Sequence, residues 1–262
     1  MIISHKYKFL FIGLPFSASS AISKELHLEY DGEPYLRKHS LFHEFENVAT
    51  KLELEYFVFA VLRNPMEIAV TVYEKMKVNA KGNFTNPELF SENGGHISKQ
   101  QRQKFNYIKD NNSSFQQYFK KFHQKPYDNL TSLTIDNCDF VIRYETIAED
   151  YLLALKNAGI VSTKPLPVAN KTVGKNNDLL TYYTNDIKEI SIAVFGPFLE
   201  KYNYSFPEEW GAVKTPLKSK LEFLVLGVLR KLNQKYFKKS KYKIGLEGTI
   251  YGDMQRNELK KS

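Results

Sequence analysis

The chain has 262 residues, 42% hydrophobic and 25% charged, which excludes a disordered or fibrous polypeptide and fits one generous domain or a domain with an appendage. Its net charge of +8 is concentrated: residues 214–262 hold 13 Lys and Arg against 4 Asp and Glu, while the other 213 hold 24 against 25. A neutral body argues against a main surface built to grip nucleic acid, and the single cysteine, Cys138, excludes an internal disulfide and suits a reducing compartment.

In chain order, KYKFLFIGL (6–14) is a short apolar run stopped by Pro15 and predicts a buried first strand. SSAISKELHLEY (19–30) has helical character, with Ser17 or Ser19 as candidate N-caps. EPYLRKHSLFHEF (33–45) reads as a second short strand followed by a helix start. Phe57–Leu62 is the clearest buried strand, continuous and apolar until Arg63-Asn64-Pro65 ends it. PMEIAVTVYEKMK (65–77) is a helix with proline in its first turn, where the missing N–H costs nothing.

Residues 79–135 are polar and loop-rich, with one short amphipathic helix expected at SSFQQYFKKF (113–122). A strand at 139–143 and a helix over about 147–158 follow. Strands alternating with helices predict an α/β fold, a central parallel sheet with helices on both faces. The boundaries expected are a body at 1–213 and a basic helical tail at 214–262. In that tail Leu217, Leu221, Leu224, Val225, Val228, Leu229 and Leu232 fall three and four apart, predicting a basic amphipathic helix. Two readings of it stand: a helix docked on the body with a solvated lysine face, or attachment to an anionic membrane surface or an acidic partner. The start MIISHKYKFLFIGLP has no long apolar stretch before a cleavage site, and no run reaches the length of a membrane span. The location expected is therefore cytoplasmic, with the inner face of a membrane as the alternative station for the tail.

Ligands of a parallel sheet sit beyond the carboxyl ends of its strands. A strand–turn–helix at 9–26 aims backbone N–H groups and the positive end of a helix dipole at such a ligand. Small residues at 17–21 let an anion approach, and Ser17, Ser19 and Ser20 add hydroxyl donors. The turn is P-loop-like in outline, but it lacks the glycines and the Lys-Ser/Thr ending of nucleotide triphosphatases, and an ordinary capped helix is the competing reading. Arg63 ends a buried strand and offers the planar fork suited to a phosphate monoester, with Thr71 eight residues on. Two phosphate-competent strand ends suit a ligand carrying phosphate at both ends. The six histidines are scattered along the chain and no cysteine pair accompanies them, so no metal is expected.

FLFIGLPFSASSAI, FVFAVLRNPMEIAVTVY, DFVIRYETIAEDY, LPVANKTVGKNNDLLTYYTNDIKEI and FLEKYNYSFPEEW occur in that order across about residues 6–210. Together they resemble the blocks of the sulfotransferases, the carbohydrate-directed branch above all. The resemblance implies 3′-phosphoadenosine 5′-phosphosulfate (PAPS) as sulfuryl donor, no metal, and a glycan or glycolipid hydroxyl as acceptor. It implies that the loop holds the 5′-phosphosulfate through Pro15, Ser17, Ala18, Ser19, Ser20 and Ala21. Arg63 and Thr71 would hold the 3′-phosphate. His39, in RKHS, stands where relatives often carry a basic pair after the second strand and would take the acceptor proton; a purely structural histidine is the alternative.

The chain departs from that family at Phe16, where relatives commonly carry a basic residue that stabilises charge on the leaving phosphate. Losing one such donor costs about 3–4 kcal/mol of transition-state stabilisation. Lys38 or a lysine from 171–175 could supply the cation instead. The alternatives are a catalytically silent protein of the same fold that binds an anionic glycan or membrane and, further off, a P-loop-like kinase. A second departure is Gly196-Pro197, where relatives often have an acidic residue.

Overall fold

A computed structural model describes residues 1–128, 131–162, 164, 166, 173–176, 178–236 and 251–252. Its elements in chain order are β1 (Ile2–Ser4), β2 (Phe9–Ile12), α1 (Ser19–Glu29), β3 (Glu33–Pro34), α2 (Phe42–Glu46), β4 (Phe57–Leu62) and α3 (Pro65–Lys77). There follow α4 (Lys99–Asp110), α5 (Phe115–Phe122), β5 (Phe140–Arg143), α6 (Ile147–Asn157), α7 (Asn185–Lys201) and α8 (Leu217–Tyr236). The chain divides into two compact units, one of residues 1–63, 129–170 and 246–262, the other of 64–128 and 171–245.

The first unit carries a five-stranded sheet in the order β3-β1-β2-β4-β5. β2, β4 and β5 run parallel, but β1 pairs antiparallel with both β2 and β3. The expectation of a wholly parallel sheet is thus corrected to a mixed one. The cause is a hairpin at the start: the chain reverses at residues 5–8, with Lys8 at φ 52°, so an additional strand, β1, precedes the one expected within 6–14. Phe9, Phe11, Phe59, Val61 and Ile142 form one apolar cluster with Ile22 and Leu26 of α1 and Tyr151, Ala154 and Leu155 of α6. Leu10, Ile12, Val58, Ala60 and Leu62, which alternate with them along the strands, are buried as well. Asp139 locks the entry to β5 by accepting the Val58 N–H at 2.7 Å. Tyr251 is buried in the same unit, its hydroxyl 2.9, 3.0 and 3.1 Å from the carbonyls of Met1, Tyr35 and Leu36.

The second unit is helical. α3 opens with Pro65 behind an Asn64 cap whose side chain accepts the Met66 N–H. The polar stretch expected to be irregular holds two regular helices: α4, absent from the sequence expectation, and α5, expected there. Each starts with a serine capping box, Ser98 with Gln101 and Ser114 with Gln117. Met66, Val70, Tyr73, Phe105, Ile108, Phe115, Tyr118, Phe119, Tyr183, Phe195 and Leu199 form their common core. Buried tyrosines find partners within it: Tyr73 donates to the Ser113 carbonyl at 2.8 Å, Tyr183 to that of Met66 at 3.0 Å, and Tyr182 to Glu74 at 3.0 Å. Gly196 in α7 has a packing cause, because a Cβ there would lie 2.3 Å from Thr215 Oγ1. Among the described residues, no helix is long and apolar enough to cross a membrane. Residues 237–250 and 253–262 of the expected tail, and 167–172 and 177 within the fourth family-like block, lie outside the described residues.

Candidate functional site

Because β2, β4 and β5 are parallel, their carboxyl ends share one edge of the sheet. That edge carries Gly13 and the turn after β2, Arg63 after β4 and Tyr144 after β5. Gly13 sits where a side chain would meet Ser19 Cβ at 3.0 Å and the Lys38 carbonyl at 3.3 Å, so the turn, the start of α1 and the 37–40 segment close in on one another. The turn is strained: Phe16 and Ala18 both have left-handed backbones, at φ 63° and 55°. For residues with a Cβ such conformations cost about 1 kcal/mol or more each, and they collect at ligand clamps.

Ala18, not a serine, is the residue before α1, and no side chain caps the helix. Ser17 is buried and donates its hydroxyl to the Leu14 carbonyl at 2.7 Å, which commits it to the shape of the turn. Ser19 and Ala21 are also buried, whereas Pro15, Ala18 and Ser20 are partly exposed. Of the loop residues expected to bind phosphate, Ser20 is joined to a cation: Lys38 Nζ donates to its Oγ at 2.8 Å.

Lys38 and His39 are delivered by a braced turn. Ser40 is buried, its N–H bonds the Arg37 carbonyl at 3.1 Å, and its hydroxyl accepts the Arg37 N–H at 3.3 Å. Glu44 of α2 accepts the Leu41 N–H at 2.8 Å and pairs with the Arg37 guanidinium. His39 Nδ1 lies 2.6 Å from the Gly13 carbonyl. A carbonyl oxygen only accepts, so Nδ1 carries the proton, and in the neutral ring the basic lone pair is on Nε2.

Arg63 is 9% exposed, donates from Nη1 to the Phe16 carbonyl at 3.0 Å, and stacks its guanidinium on the Tyr144 ring at 4.1 Å. The ends of β2 and β4 therefore meet directly. Arg63 steadies the left-handed peptide of the very residue that stands where a loop cation was expected. Thr71 falls in the second unit, on α3, with a buried hydroxyl that has no hydrogen-bond partner among the described residues. Of the lysines proposed as substitutes, Lys175 pairs with Glu67 in the second unit, and Lys171 lies outside the described residues.

Sequence reasoning singled out the turn, Arg63, Lys38 and His39 as candidates but missed Gly13, which packs closely against α1 and whose carbonyl meets His39. A glycine at the last step of an apolar strand, just before the proline bend, was the available signal. The chain matches no family model, and neither curated proteins nor solved structures provide a match.

Proposed function

We propose that this protein transfers a sulfuryl group from PAPS to a hydroxyl of a glycan or glycolipid. The observation that carries the reading is the Lys38–Ser20 contact at 2.8 Å, which puts a cation on the strained turn despite Phe16. The order of the five sequence blocks that resemble sulfotransferases supplies the reaction class. The assignment uses residues of the first unit alone. The turn and the start of α1, with Ser20, receive the 5′-phosphosulfate as a P-loop-like cradle. Arg63 takes the 3′-phosphate and, through its bond to Phe16, links occupancy of that position to the shape of the turn.

In the reaction the acceptor oxygen forms a bond to sulfur while the bond from sulfur to the 5′-phosphate oxygen breaks. His39 Nε2 takes the acceptor proton, and the negative charge left on the phosphate is met by Lys38 and the turn N–H groups. These groups act by position and fixed charge. Phe16 favours a second reading, a protein that binds the donor without turnover.

Calorimetric titration with 3′,5′-adenosine bisphosphate tests the donor site. Saturable binding is expected for the natural chain, and at least about a tenfold loss for Arg63→Ala, since a charged hydrogen bond contributes about 1.5–3 kcal/mol. Absence of binding to the natural chain rejects the reading. Binding with no sulfuryl transfer from radiolabelled PAPS selects the silent one.

A further inference from the structure

α8 does not follow the docked reading of the tail helix. It packs on α7 through the side carrying Ser219 and Phe223, both buried, with Lys220 paired to Glu200 at 2.7 Å and Arg230 paired to Asp128. The seven leucines and valines that form the docking face in one of the two sequence readings point the other way: Leu217, Leu221, Leu224, Val225, Val228, Leu229 and Leu232 are all 46–72% exposed, and Tyr236 joins them at 65%. At 100° per residue these eight span an arc of roughly 140° opposite the docked side. Isolated surface leucines need no explanation; an apolar face unbroken from Leu221 to Leu232 does.

The occupant is identified by charge. Besides Lys220 and Arg230, which are paired with acids, α8 carries Lys218, Lys231 and Lys235 against one acid, Glu222, and residues 238–243 add Lys238, Lys239, Lys241 and Lys243 in the sequence. Two copies meeting through this face would bring two basic helices together, like charge against like. An anionic bilayer accepts the apolar side chains in its interface and attracts the lysines at once. We propose that α8 is a membrane-surface anchor whose exposed face lies in the headgroup region of an anionic bilayer. The inference is independent of the sulfuryl-transfer reading.

The test uses the full chain with vesicles of phosphatidylcholine alone and of phosphatidylcholine mixed with phosphatidylglycerol. Sedimentation with the anionic vesicles is expected, weakening as salt rises. Leu224→Ser combined with Val228→Ser should cut partitioning at least about tenfold, and Lys231→Gln about fivefold. Both changes fall on exposed positions, so the thermal midpoint should stay put. Failure of the natural chain to bind anionic vesicles overturns the proposal. So does binding that the double variant leaves intact, or a self-associated form in solution that the double variant splits into monomers while vesicle binding stays absent.

Discussion

Two kinds of helix start occur in this chain. α5 begins at Ser114, whose hydroxyl accepts the Gln117 N–H while the Gln117 side chain accepts the Ser114 N–H. α1 has serines on both sides of its start, yet Ser17 turns back to Leu14 and Ala18 takes the position before the helix in a left-handed conformation. The capped start is a finished structure. The uncapped one keeps its strain and its positive end while a lysine and an arginine are brought to the same turn. Serines beside a helix start therefore mean opposite things in the two units, and the proposed site uses the uncapped one.

The most damaging way to probe that contrast is to remove the cation. Lys38→Ala should reduce kcat for sulfuryl transfer by about 100- to 1000-fold, the loss expected when one charged donor leaves a transition state. Affinity for 3′,5′-adenosine bisphosphate should fall far less, and Lys38→Arg should restore part of the rate. Equal kcat in Lys38→Ala and the natural chain would remove Lys38 from the chemistry and leave Phe16 unexplained.

Legibility of the sequence follows the same divide between self-contained and assembled features. β4 and α3 can be read to the residue, because a continuous apolar run stops at an Arg-Asn-Pro whose proline pre-sets the next helix. α4 escapes periodicity because only Phe105 and Ile108 are buried along its length, and its clearest trace is the Ser98–Gln101 box. The opening hairpin escapes because its reversal uses Lys8 in place of glycine or asparagine. In the site, the residue types were legible and their partners were not. The Lys38–Ser20 and Arg63–Phe16 contacts join residues 18 and 47 apart, distances over which only the sheet order brings chains together. The exposed side of α8 was illegible for a related reason: an apolar stripe announces a face but not what it faces.

The far end of α5 sharpens the comparison through pH. His123 ends that helix, stacked on Phe119 with ring centroids 4.5 Å apart and planes 10° from parallel. Burial, with help from the Lys104 charge, pushes its pKa down from 6.5 to about 3. A basic side chain whose folded pKa lies below its unfolded value takes up its proton first in the unfolded chain. Its contribution thus falls as pH drops below about 6.5, by roughly 1.4 kcal/mol per unit until the folded pKa is reached. Urea denaturation at pH 6.5 and pH 5 should show a loss of about 2 kcal/mol in the natural chain beyond that in His123→Phe, which keeps the stack. Parallel losses in the two proteins would show that His123 is not held neutral, and that α5 is less closed than its capped start suggests.

The smallest expected effects bear most directly on the two helix starts, because they differ in sign. Ser114→Ala removes a capping oxygen and should cost about 1 kcal/mol of unfolding free energy, with donor affinity unchanged. Ala18→Gly replaces a Cβ at φ 55° with a residue that tolerates positive φ. Within a regular helix the same change would destabilise by about 0.5–1 kcal/mol. At position 18 it should instead stabilise by a similar amount, because relief of the left-handed strain outweighs the extra freedom of glycine in the unfolded chain. The relaxed turn should then hold 3′,5′-adenosine bisphosphate more weakly, since strain that shapes a clamp is lost with the clamp's shape. Denaturation midpoints for both variants, measured beside the titration, decide the matter. Destabilisation in both would make Ala18 an ordinary helical residue and the start of α1 no different from that of α5.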